Sequence, residues 1–538
     1  MASTERHSDP PLTAPRPRTG ATGSAPPSPD RSPAAAAPAG AADPAGAADP
    51  AIPEAPARWR RRPDVRPLAL VAVGYAVAQL CYAVVHMNLG WDETVYLSQV
   101  DPRAPAAFFS APRSRGITFL AAPVVALTSS ALAVRVVLVL LSSAALYAAF
   151  RVWEPLAGRR RTGLAAALFA SLWITVLSGP QVMPNLWVAL SSVAAVGWFL
   201  RARDGSPGPG ERRRALTGLV AALAAATLFR APDGVWLALP LLAACAAVRA
   251  WRRRSTVAAV LGGLALGGAQ WAVEAYVRFG GITERLRVSS ETEGGMGARL
   301  GGGLSAAYRG LDGPLLCRPC RIAAPPLTHS LWWLLLPLLA AAACALAPRG
   351  RRTETLLPVA CAVSVAVPYL LLLDYSAPRF LLPAYALLAL PTAAVVARVL
   401  RAVRGRGRRA RGAVAVLLCV VFAAHLAVQL KELRVNTADA RDTTIRYRRA
   451  ADALHHLGLH APCLVTGPRA QPIAYEAGCA SAQTMGNNRS TTTAELVRVA
   501  ERMPTAVLYD PEDGYVPPFA RGWAAHPLPG TDWWAYVR

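Results

Sequence analysis

From Pro67 onward the apolar residues come in long blocks separated by short polar loops, instead of alternating or marking one helical face. Each block approaches the roughly 17–25 residues with which a helix crosses the hydrocarbon of a bilayer. Eleven spans are expected, at about 67–88, 133–151, 163–180, 182–200, 215–230, 233–248, 256–277, 330–347, 355–373, 380–398 and 412–430. The stretch 116–130 is apolar but short and contains Pro123, so it reads as a re-entrant or interfacial helix. Residues 1–57 lack any such pattern. They are rich in Pro, Ala, Ser and Gly, with the repeat AADPAGAADPA at 41–51, and such a segment cannot bury enough apolar surface to offset its chain entropy. A disordered tail is expected there. No short apolar core follows a basic start, so it does not read as a cleavable signal peptide.

Composition agrees with the blocks: 54% of the 538 residues are hydrophobic and 17% charged. A net charge of +25, from 57 basic and 32 acidic residues, would ordinarily raise nucleic acid as a partner. Position argues otherwise. Lys431 is the sole lysine, and about half of the basic residues cluster in six loops, before span one and after spans two, four, six, eight and ten. Positive charge in alternate loops is the signature of cytoplasmic loops in a membrane protein. The N-terminus is therefore expected in the cytoplasm, the C-terminus outside, and no nucleic-acid partner.

Three large segments then lie outside: 89–132, the glycine-rich 279–329, and about 431–538. The last reads as a small α/β domain, with helices at 440–457 and 492–502 and strands at 461–467 and 505–510. It carries no phosphate-binding glycine motif, so no nucleotide is assigned. The fold class is thus a mainly α polytopic membrane protein, comprising a tail (1–57), a membrane domain (58–430) and an extracytoplasmic α/β domain (431–538). Cys81, Cys245, Cys344, Cys361 and Cys419 fall in spans. The other four fall outside, where Cys463–Cys479 and Cys317–Cys320 are candidate disulfides. A zinc half-site at Cys317-Arg-Pro-Cys320 lacks a second pair.

The chemistry concentrates on the outer side. Trp91-Asp92-Glu93-Thr-Val-Tyr96 follows span one, and carboxylates so near hydrocarbon are costly and usually functional or paired. An adjacent pair repels itself, which raises one pKa and suits a general base. Arg379, Arg230 and Arg115 break the positive-inside pattern, and an outward arginine at membrane depth can clamp a phosphate. Arg135, opening span two, reads as an anchor. A carboxylate to deprotonate an acceptor hydroxyl and arginines to hold a lipid phosphate define glycosyl transfer from a polyprenyl-phosphate sugar. A transporter or lipid flippase is the alternative, but no repeat relates the two halves; a non-catalytic scaffold leaves Asp92, Glu93 and Arg379 unexplained.

Over about 60–430 these residues resemble the GT-C superfamily of polytopic glycosyltransferases. Asp92-Glu93-Thr-Val-Tyr96 is similar to the loop motif of protein O-mannosyltransferases and lipid A aminoarabinose transferases. Phe229-Arg230-Ala-Pro232 resembles their mid-chain Arg-Pro turn, and Pro378-Arg379-Phe-Leu-Leu-Pro383 their late Arg-aromatic-Leu-Leu-Pro motif. The resemblance implies an inverting hexosyl- or pentosyltransferase that uses a lipid-phosphate donor and a glycan, lipid or protein acceptor. It makes Asp92 the catalytic base with Glu93 in support. Arg379, Arg230 and Arg115 would bind the donor phosphate, and Tyr96 and Trp91 the substrate. The loop 279–329 lacks the longer acidic motifs of oligosaccharyltransferases, which puts a metal in doubt: no cofactor is expected, and a divalent metal stays open but unsupported.

Overall fold

The computed structural model describes residues 66–85, 87–203, 208–297, 299–486, 488–512 and 514–538. The tail expected over 1–57 lies outside them. Helical segments occupy all eleven expected span positions. Among the described residues, seven helical segments are long and apolar enough to cross a membrane: Pro67–Val84, Ala131–Arg151, Arg254–Phe279, Leu327–Leu346, Arg349–Leu372, Pro378–Ala402 and Gly407–His456. The other four positions are shorter, broken or more polar. The expected 163–180 span is two helices, Arg159–Ala170 and Trp173–Ser178. Asn185–Arg201, buried along nearly its whole length, and Ala231–Ala247 have 17 residues each, and Pro209–Phe229 opens on charged residues. The expected short helix is present as Gly116–Leu127, with Pro123 inside it.

The helices pack through small residues. A methyl group on Gly267 of Arg254–Phe279 would fall 2.1 Å from the carbonyl oxygen of Ala224 on Pro209–Phe229, so only glycine permits that approach. Outward, Leu70, Val73, Leu140, Leu261, Val273, Val416, Leu417 and Val420 are all at least half exposed. Water would disfavour so broad an apolar surface, whereas lipid covers it. The chain is a multi-pass membrane protein.

One helix of 50 residues, Gly407–His456, includes both the last expected span and the helix expected at 440–457. Its first half exposes Val416, Leu417, Val420 and Val421, while its second half buries Tyr447, Ala450, Ala451 and Leu454. Those residues pack on a five-stranded sheet of order β2-β1-β3-β5-β4. Its strands are β1 Leu464–Thr466, β2 Ala480–Ala482, β3 Thr505–Tyr509, β4 Ala524–Pro527 and β5 Trp534–Val537. β1 runs parallel to β2 and β3, whereas β5 is antiparallel to β3 and β4. The expected strands at 461–467 and 505–510 are β1 and β3. The other three strands were not anticipated. A disulfide joins Cys463, just before β1, to Cys479, just before β2.

Candidate active site

Asp92 and Glu93 open the short helix Trp91–Leu97, and consecutive helical residues project about 100° apart. The pair therefore separates. Glu93 turns inward and reaches back to accept from the backbone N–H of Gly90 at 2.8 Å, closing a capping box. Its carboxylate also accepts from the N–H of Val182 at 2.9 Å and from both terminal nitrogens of Arg135, at 3.0 and 3.2 Å. Arg135 is fully buried and donates further to the carbonyls of Met87, Asn88 and Pro180. Arg135 is thus more than a span anchor. The Glu93 oxygens are occupied in fastening the loop to the bundle.

Asp92 turns the other way, into a cavity of about 650 Å³. Its Oδ1 accepts from Arg113 at 2.7 Å and its Oδ2 from Arg379 at 2.8 Å. Burial pushes this carboxyl up, but Arg113, Arg379 and, farther off, Arg230 outweigh burial and hold it below the usual aspartate range. Asp92 therefore does not carry the raised pKa expected of one member of an adjacent acidic pair.

Arg379 sits in the 3₁₀ turn Pro378–Leu381 that leads into Leu382–Ala402. Its second terminal nitrogen donates to the carbonyl of Leu315 at 2.9 Å. Leu315 is aligned with it by a two-way backbone bridge between Cys317 and Ser376, at 2.8 and 3.2 Å, in a loop closed by the Cys317–Cys320 disulfide. Arg230 caps Ala231–Ala247 in extended conformation, pairs with buried Asp233 at 3.5 Å, and lies over the rings of Tyr369 and Phe380. It also lines the cavity, as do Trp91 and Tyr96. Tyr96 packs edge-on against Phe109 and beneath the Arg113 guanidinium.

Arg115 does not belong to this group. It pairs with Glu274 at 2.8 Å, in a cluster that also takes in Arg278 and the fully buried Arg285, and it does not line the cavity. Arg113, two residues earlier, stands at Asp92 instead.

No protein-family model matches this chain, and no curated protein matches it. Solved structures match it in shape. ArnT from Cupriavidus metallidurans bound to undecaprenyl phosphate superposes with a TM-score of 0.62, over 87% of this chain and 97% of that one, at 12% identity. The apo state of the same protein gives 0.59 over the same shares. The apo oligosaccharyltransferase of Archaeoglobus fulgidus gives 0.51, over 83% of this chain and 70% of that one, at 13% identity. This chain has the GT-C fold.

Within that GT-C fold the cavity has more walls than the sequence suggested. Arg318 stacks over Tyr375, 4.3 Å from guanidinium carbon to ring centre, and the Tyr375 hydroxyl donates to Glu293; all three line the cavity. Asp439, Thr443 and Tyr447 line it from the long helix, and Asn488 from the sheet region. The helical spacing of 439, 443 and 447 was a readable sign of one common face. Nothing in the sequence distinguished Arg113 from Arg115. The sheet region also touches loop one directly, where the Tyr475 hydroxyl donates to Asp101 at 2.7 Å.

Proposed function

We propose that this protein is a membrane glycosyltransferase that moves a sugar from a polyprenyl-phosphate donor to an acceptor hydroxyl at the outer face of the plasma membrane. The observation that carries the reading is the Asp92 carboxylate standing between Arg113 and Arg379 in one cavity of a GT-C fold. The matching ArnT structure holds undecaprenyl phosphate, which supports a lipid-phosphate donor here.

In this reading Arg379, Arg230 and Arg113 hold the donor phosphate, and fixed guanidiniums stabilise the charge that grows on it as it leaves. The acceptor oxygen attacks the anomeric carbon from the face opposite the phosphate. The carbon–oxygen bond to phosphate breaks, and polyprenyl phosphate departs with the electron pair. Asp92 takes the acceptor proton, and the sugar is inverted. No cofactor is required on this route. A donor phosphate competes with Asp92 for the same guanidiniums, so binding loosens the clamp and makes the carboxylate a better base than it is in the free protein. The N-terminus is cytoplasmic, the sheet region is extracytoplasmic, and the acceptor is a glycan, lipid or protein.

The test compares envelope glycans of a deletion strain complemented with the wild type or with Asp92→Asn. Loss of one glycan, not restored by Asp92→Asn at equal protein level, supports the reading. Full rescue removes Asp92 as the base.

A further inference from the structure

Away from the cavity, three chain segments bring a histidine and two carboxylates together. His329 lies in the first turn of Leu327–Leu346, Asp312 in the loop before it, and Glu432 on the long helix Gly407–His456. His329 Nδ1 is 3.2 Å from Asp312 Oδ2 and 3.0 Å from Glu432 Oε1, and the three atoms lie within 4.8 Å of one another. None of the three residues lines the cavity of Asp92.

The cluster is not satisfied by its own members. The Glu432 side chain is 7% exposed, and its Oε1 has no hydrogen-bond partner despite the nearby imidazole. Lys431 Nζ stands 3.3 Å from His329 Nε2. If the imidazole is neutral and accepts from that ammonium, its one proton at Nδ1 goes to Asp312, and the buried Glu432 charge stays uncompensated. If the imidazole is protonated, its Nε2–H faces the ammonium, donor against donor. Turning Lys431 to solvent relieves that clash, but Glu432 Oε1 still lacks a hydrogen-bond partner, and buried polar groups are rarely left so.

We propose that Asp312, His329 and Glu432 form a zinc-class divalent metal site that fastens the long helix to the loop holding Arg379. One imidazole nitrogen and two carboxylate oxygens are a donor set that zinc accepts, with a fourth position for water. Zinc bonds of about 2.0–2.2 Å place tetrahedral ligand atoms about 3.3–3.6 Å apart, a few tenths of an ångström beyond the 3.0 and 3.2 Å found at His329. The exposed Lys431 swings into solvent when Nε2 carries the proton. The surroundings are already braced. Asn436, one turn after Glu432, donates to the Asp312 carbonyl at 2.9 Å, and Trp173 donates to the carbonyl of Leu311 at 3.3 Å. Three residues after Asp312, the Leu315 carbonyl receives Arg379. The ion would fix where that carbonyl, and therefore Arg379, stands.

The experiment uses the full chain, untagged, in lipid nanodiscs, stripped with chelator and titrated with zinc chloride. Bound metal is measured by mass spectrometry after desalting, and the unfolding midpoint is followed in parallel. One zinc per chain and a rise of the midpoint are expected. Glu432→Gln and His329→Gln should each weaken binding by more than the roughly 10–100-fold that loss of an outer partner costs, and abolish the rise. No bound zinc on the wild type, or zinc bound equally by both variants, overturns the proposal. Absence of bound zinc on the wild type overturns the proposal even if neither variant folds, and neither readout depends on transferase activity.

Discussion

Arg379 and Asp92 lie 287 positions apart in the chain and meet at 2.8 Å, with Arg113 closing the other side of the same carboxylate at 2.7 Å. Three segments therefore converge on one charge, and each can be removed without touching the others.

Asp92→Asn should leave the protein folded and lower turnover by about 10²–10⁴-fold, the usual scale for loss of a general base. The side chain keeps its size and 28% of it is exposed, so no cavity or wholly buried charge results. Release of polyprenyl phosphate by purified wild type and variant, with matched unfolding midpoints, is the measurement.

Glu93→Gln should behave in the opposite way. Glu93 and Arg135 are a buried pair, 5% and 0% exposed, and removing one partner of such a pair costs about 3–5 kcal/mol. The expected outcome is a large fall in folded yield, visible by size-exclusion chromatography of detergent extracts. A stable but inactive Glu93→Gln would place that residue in the chemistry.

Arg113→Ala and Arg115→Ala separate cavity from scaffold. Loss of a charged hydrogen bond costs about 1.5–3 kcal/mol, so Arg113→Ala should reduce kcat/KM about 10- to 100-fold. Arg115→Ala removes a partner of Glu274, which keeps Arg278 and Arg285, and should act on stability with little effect on KM for the donor. Equal kinetic damage from both would contradict the geometry.

The pH dependence follows from the direction of the Asp92 shift. Its folded pKa lies below the ordinary value, so its contribution to stability is complete above about 3.9 and is lost only as pH falls further, through the depressed value. In kcat/KM, which reports the free protein, Asp92 should give no acid limb above that pH. A limb centred near pH 6 would assign the base to another group.

Apolar block length and arginine position were enough to place the helices, because both follow from the bilayer itself. Asp92, Arg230 and Arg379 were legible because charge at membrane depth is costly and stands out. The separation of Glu93 from Asp92 was not legible, because a capping box with an N3 glutamate looks, in sequence, the same as an acidic pair. Arg113 was missed because the turn that aims it at Asp92 and sends Arg115 to Glu274 depends on tertiary packing. The short strands β2, β4 and β5 carry no periodic signal. Asp312, His329 and Glu432 are too scattered along the chain for spacing to reveal them.

The unbroken helix from Gly407 to His456 has a mechanical consequence. With no cap or proline between residues 430 and 447, it is one continuous rod across the expected end of the last span. Tyr447 stands about 25 Å along that rod from residue 430. Because Tyr447 also lines the cavity, the last expected span and part of the wall around Asp92 belong to one rod.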